Sequence, residues 1–271
     1  MKSFAKAAAV GLIVGAAFSQ AGHAQSVLKI YAAGSLNPAM DQIGAAYAAA
    51  GGSTVQVTYG PSGVMRQRIE KGEQADLFTS ADTDNPVTLN KAGKSGPVVM
   101  FTKNELCGFA KPGIKLTTDN LLNTMLDPKV KLGTSTPKSD PSGDYTWAIF
   151  AKAEQIKKGS EAKLDKKALK LFGAADSPQP PPGTNLLAWH IQAGRGDLFV
   201  SYCSGKDAFI KAVPGGTVVN FPAKLRVGAA YGLTMPNGGN PEAAKLALFI
   251  LSQPGQKILA DNGFVPPLLM N

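Results

Sequence analysis

Four hydroxyl residues stand where the sequence predicts helices to begin: Ser35 in AAGSL, Ser62 in YGPSG, Ser142 in DPSGDY and Thr184 in GTNLL. The three serines sit beside Gly34, Gly63 and Gly143 respectively. A helix start leaves backbone N–H groups without partners and carries partial positive charge, so a hydroxyl set among them suits an anion. Ser and Thr are also ordinary N-caps, and any single one of the four reads better as that. Four together read as a shared anion site. No lysine or arginine recurs beside these loops, so dipolar donors must do the binding. A buried doubly charged anion needs most of its lone pairs met by fixed donors. Tyr202, closing the strand-like run LFVSY, adds a phenolic donor; the competing reading is a core tyrosine whose hydroxyl is satisfied elsewhere.

Other chemistries fit poorly. The loop Gly60–Gly63 lacks the second spacer of a G-x-S-x-G nucleophile elbow, and His190 falls inside a predicted helix between Trp189 and Ile191, which argues against an exported serine hydrolase. Gly93, Lys94 and Ser95 echo a phosphate-binding loop, but Thr88 occupies the position of its first glycine. Cys107 and Cys203 have no finger or ribbon spacing, so neither a metal-ion site nor a cofactor is expected.

The elements that must carry these residues alternate between strand and helix. Val27–Ala33 reads as a strand leading to Ser35, followed by a helix with the stripe Leu36, Met40, Ile43, Tyr47 and Ala50. The strand Val55–Tyr59 then leads to Ser62 and a helix stopped by Gly72, and Ala75–Ser80 is a third strand. Repeated strand, loop and helix units predict parallel strands with ligands at their carboxyl ends. Val98–Thr102 and Glu105–Ala110 read as separate extended segments, with a passage between lobes near Asn104. A lysine-rich helical stretch extends to Phe172, and a return passage is expected near Leu225–Gly228. The resulting organisation is a discontinuous first lobe, 25–104 and 228–271, into which a second lobe, 105–227, is inserted.

Lys2 and Lys6 precede an apolar run ending at Phe18, and the small residues Ala21, Gly22 and Ala24 suit cleavage before Gln25, so 1–24 is read as a signal peptide. Its removal lowers the formal charge from +9 to +7. The remaining lysines cluster between Lys152 and Lys170 without interleaved stacking aromatics, which suits a solvated helical face rather than a nucleic-acid surface. In an oxidising compartment Cys107 and Cys203, each following a strand-like run, are expected to form a disulfide between adjacent parallel strands; two buried free thiols are the alternative.

AAGSL, PSGVMRQRIEKGEQADLFTSAD, DPSGDY, LFVSYCSGKDA and the closing GFVPP together resemble the periplasmic molybdate-binding proteins of ABC importers, across nearly the whole mature chain. The resemblance implies an α/β, two-lobed type II periplasmic-binding fold, each lobe a mostly parallel sheet flanked by helices, with two crossings at the hinge. It implies a monomeric, non-enzymatic receptor that takes molybdate or tungstate to a permease in the inner membrane, with sulfate or another tetrahedral anion as the alternative. It further implies donors from Ser35 and Ser62 through hydroxyl and backbone N–H, from Tyr202 through its hydroxyl, and from the backbone at Ser142 and at Thr184 or Asn185. Ser142 stands where an alanine is common in the family, which adds a hydroxyl.

Overall fold

The computed structural model describes residues 27–265 and Pro267; the segment read as a signal peptide, 1–24, lies outside the described residues. Nine strands are present among them: β1 (Leu28–Ala33), β2 (Val55–Gly60), β3 (Leu77–Ser80), β4 (Val99–Ala110), β5 (Leu132–Ser135), β6 (Leu169–Phe172), β7 (Leu198–Tyr202), β8 (Thr217–Asn220) and β9 (Gly228–Thr234). They pair in the order β2-β1-β3-β9-β4-β7-β5-β6, with β8 also on β4. The helices are α1 (Ala39–Ala49), α2 (Ser62–Glu70), α3 (Asp84–Lys91), α4 (Leu121–Leu126), α5 (Pro141–Ile156), α6 (Ser160–Lys167), α7 (Leu186–Gln192), α8 (Lys206–Ala212), α9 (Ala243–Leu251) and α10 (Gln253–Asp261).

The two-lobed α/β fold is as expected, and its helices follow from their apolar stripes. Leu36, Met40, Ile43 and Tyr47 are all buried, packing with Leu28, Ile30, Leu77, Leu246 and Ile250 in one core. Ala50 falls past the end of α1 and is exposed. A second cluster, with Phe109, Phe172, Leu187, Phe199 and Phe209 at its centre, lies under α7 and α8.

Three expectations need correction. First, parallel pairing holds only within β1, β2 and β3 and within β5, β6 and β7; β9 is antiparallel to β3 and β4, and β4 is antiparallel to β7 and β8. A crossover helix enforces parallel direction, and β4, reached from β3 through α3, does run parallel to β3, but β9 comes back from β8 and inserts between the two, antiparallel to both. Second, Val98–Thr102 and Glu105–Ala110 are not separate: β4 is continuous. Its Val99–Glu105 half pairs with β9 as far as Gly228, and its Leu106–Ala110 half pairs with β7, starting at Tyr202. Third, the lysine-rich helix does not reach Phe172. It ends at Lys167, and Leu169–Phe172 adds an edge strand to β5, because the unpaired ladder groups there outweigh local helix propensity.

Cys107 and Cys203 do form a disulfide, with Cα atoms 5.0 Å apart. The geometry differs from the expected parallel pair: β4 and β7 are antiparallel, with Cys107 opposite Ser201, and Cys203 begins the 3-10 turn just beyond β7.

Candidate functional site

A cleft of about 690 Å³ opens at the carboxyl ends of β1, β2 and β7 and at the N-termini of α5 and α7. Strands deliver loops there, and helix starts direct N–H groups into the same space. Gly34, Ser35, Pro61, Asp140, Ser142, Asn185, Tyr202 and Ser204 are among its lining residues. Lys206 is the one cation lining the cleft among the described residues, and it is exposed at the start of α8.

Ser35 lies in the 3-10 turn Gly34–Leu36 and its Oγ is 2.8 Å from Tyr231 Oη. Tyr202 is buried edge-on against Tyr231, with ring centroids 5.7 Å apart, and its Oη makes no hydrogen bond of good geometry among the described residues; the neighbouring Tyr231 phenol feels it only as a weak influence that lowers its pKa. Burial raises the pKa of both Tyr202 and Tyr231 well above the ordinary phenol value, so both keep their protons and remain donors.

The start of α5 is built differently from the expected Ser142 cap. Asp140 is the N-cap and Pro141 the first helical residue, so the Asp140 carboxylate accepts the Ser142 N–H at 3.2 Å. Ser142 Oγ is thereby left buried with no partner of its own among the described residues. The second oxygen of Asp140 accepts from Ser135 Oγ at 2.5 Å. Burial pushes the Asp140 carboxyl up to about 6, the two hydrogen bonds oppose this, and the charges of Asp144 and Asp82 add to it.

Ser62 does not cap α2 with its side chain. Pro61 holds the N-cap position, while Ser62 is buried and its Oγ accepts the Ala81 N–H at 3.0 Å. Pro61, not Ser62, lines the cleft. Thr184 is exposed and also absent from the lining, whereas Asn185 caps α7 by accepting the Ala188 N–H at 3.0 Å and lines the cleft with Leu186. The glycines divide in the same way. Gly34 borders the cleft, but Gly143 permits close packing: a Cβ there would lie 2.5 Å from Pro137 N. His190 is buried in α7 between Phe172 and Phe199, with both ring nitrogens unpartnered among the described residues, which is no arrangement for a general base.

Sequence reasoning missed Asp140 and Ser204. The Asp-Pro pair was the available signal for Asp140, since Asp before a first-turn proline outranks a serine two residues later as a cap. Ser204, one residue past the disulfide cysteine at the end of β7, carried a weaker signal.

A family model for bacterial extracellular solute-binding proteins matches residues 28–265. The chain belongs to this family. This solute-binding protein is also 36% identical to the uncharacterized protein PM1146 of Pasteurella multocida over 214 residues, 78% of this chain and 87% of that one. Among solved structures it is similar to the periplasmic molybdate-binding protein of Azotobacter vinelandii, with a TM-score of 0.69 and 18% identity over 89% of this chain and 99% of that one. It is also similar to the sulfate-binding protein SubI of Mycobacterium tuberculosis, with a TM-score of 0.70 and 19% identity over 90% of this chain and 88% of that one. The family makes the chain a bacterial extracellular solute-binding protein, and the structural likenesses show the fold that it shares with these receptors.

Proposed function

We propose that this receptor captures a tetrahedral oxyanion, molybdate or tungstate, in the cleft and delivers it from the periplasm to an inner-membrane permease. The observation that carries the reading is the pair of buried, unpartnered hydroxyls, Ser142 Oγ and Tyr202 Oη, on residues that line one cleft. A buried donor without a partner costs about 1–3 kcal/mol, and an oxyanion that accepts from both offsets that cost. Ser35 adds a third hydroxyl. Ser62 has its acceptor lone pair occupied by Ala81 N–H, which leaves its proton to donate once closure narrows the cleft. The helix starts at α5 and α7 add their positive ends.

The cleft is larger than one tetrahedral ion requires, so binding goes with closure of the lobes. We assign 25–104 with 228–271 to one lobe and 105–227 to the other, supported by the change of ladder partner within β4 and the pairing of Glu105 with Gly228. Sulfate is the second reading, favoured by the likeness to a sulfate-binding protein. Isothermal titration with molybdate, tungstate, sulfate and phosphate decides between them, and absence of binding by all four refutes the oxyanion reading.

A further inference from the structure

Asn104 is buried in β4, close to where that strand changes partners, and its amide contacts Ser204, which lines the cleft, and the buried Tyr231. Its Oδ1 accepts the Glu105 N–H at 2.9 Å, which orients the amide and leaves Nδ2 as the outward atom. That nitrogen lies 2.9 Å from Ser204 Oγ and 3.4 Å from Tyr231 Oη. An amide nitrogen can only donate, so both hydroxyl oxygens must accept from it. Tyr231, kept protonated by burial, then has its own proton for Ser35 Oγ at 2.8 Å. Where Tyr231 donates across this contact, Ser35 accepts and has its proton for the cleft that it lines, and Ser204, having accepted from Asn104, is in the same state.

We propose that Asn104 is a positioning residue that sets the proton direction of two cleft hydroxyls, Ser35 through Tyr231 and Ser204 directly, and that Ser204 is a further donor to the bound anion. The inference rests on the oxyanion reading, and it explains why a polar amide and a phenol are buried behind the site. A freely rotating hydroxyl presents lone pairs to an anion as readily as its proton. The chain from Asn104 fills one lone pair on each hydroxyl and biases its proton toward the cleft before the ligand arrives, which is preorganisation of the donors.

The test uses the full mature protein. Asn104→Asp keeps the shape and still accepts the Glu105 N–H, but it replaces the donor by an acceptor, so both hydroxyls must turn their protons toward residue 104. Molybdate affinity measured by titration should fall about tenfold or more in Asn104→Asp. The same substitution in a Tyr231→Phe background should cost several-fold less, because the path to Ser35 is already cut. Repulsion by the new carboxylate would act equally in both backgrounds, so additive losses would overturn the relay. Ser204→Ala should weaken binding by about three- to tenfold, and unchanged affinity would remove Ser204 from the site. A second readout needs no ligand: nuclear Overhauser contacts from the Tyr231 hydroxyl proton should run to the Ser35 β-protons in the parent protein and shift toward residue 104 in Asn104→Asp. Contacts toward Asn104 in the parent protein would overturn the proposal even if molybdate binds. If no oxyanion binds the parent protein, the oxyanion reading falls and this proton contact alone decides the direction of the relay.

Discussion

Gly63 donates its backbone N–H to the carbonyl oxygen of Ser139 at 3.0 Å, joining the first turn of α2 to the loop that leads into α5. The loop is held for this contact: Lys138 takes a left-handed conformation, and its N–H donates to Asp144 Oδ1 at 2.9 Å. A methyl group on Gly63 would lie 2.6 Å from Lys138 O and 2.8 Å from Ser139 O, too close for either backbone to tolerate. Gly63→Ala should therefore keep α2 intact, since alanine is favoured over glycine in a helix by about 1 kcal/mol, while forcing the two loops apart. The expected result is at least tenfold weaker oxyanion binding with a larger radius of gyration in solution scattering. Parent-like affinity would mean that this contact plays no part in closure.

Removal of the buried orphan hydroxyls should move stability and affinity in opposite directions. Ser142→Ala and Tyr202→Phe each delete a buried polar atom that has no hydrogen bond of good geometry among the described residues. Each should stabilise the free protein by about 1 kcal/mol and weaken anion binding by about 1–3 kcal/mol. Denaturant melts paired with titrations test this; a loss of stability would show that the hydroxyl is satisfied without ligand.

Asp140 should make both stability and binding pH-dependent. Its folded pKa, pushed up to about 6 by burial, exceeds the unfolded value of about 3.9, so its stabilising contribution is complete below pH 4 and is lost as pH rises through 6. The charge that appears over the same interval also repels an anion in the cleft, alongside Asp144 and Asp82. Oxyanion affinity should decline between pH 5 and 7 in the parent protein and stay flat in Asp140→Asn, which retains an oxygen to cap Ser142. The variant should also be more stable at pH 7 by about 1–3 kcal/mol. A parallel pH profile in the two proteins would exclude Asp140 as the titrating group.

The disulfide should matter to both fold and site. Cys107 and Cys203 are 96 positions apart, and Cys203 stands between Tyr202 and Ser204. Replacing both by serine should cost about 2–5 kcal/mol in denaturant unfolding. It should also weaken anion binding, because the turn after β7 loses its anchor on β4. Unchanged affinity would show that the β4–β7 ladder alone holds Tyr202 in place.

The pattern along the chain was sufficient for the class of fold. Local information sets helix stripes such as Leu36, Met40, Ile43 and Tyr47, the Gly and Pro stops, and the recurrence of strand, hydroxyl loop and helix, because each depends on neighbours within a few residues. Strand direction and partner choice do not. The continuity of β4, the antiparallel β9 and the edge strand β6 arise from ladder groups supplied by distant segments, which no local window contains. The same division runs through the candidate site. Ser35, Ser142, Asn185 and Tyr202 were visible as polar residues at element ends, whereas the burial of Ser62 against Ala81 and the exposure of Thr184 were decided by packing. Asp140 displaced Ser142 as cap through a proline-defined first turn. The hydrogen-bonding roles of Asn104 and Tyr231 carried no signal, since they exist only where β4, β9 and the turn after β7 converge, and hydrogen bonds between residues a hundred or more positions apart are properties of the folded chain alone.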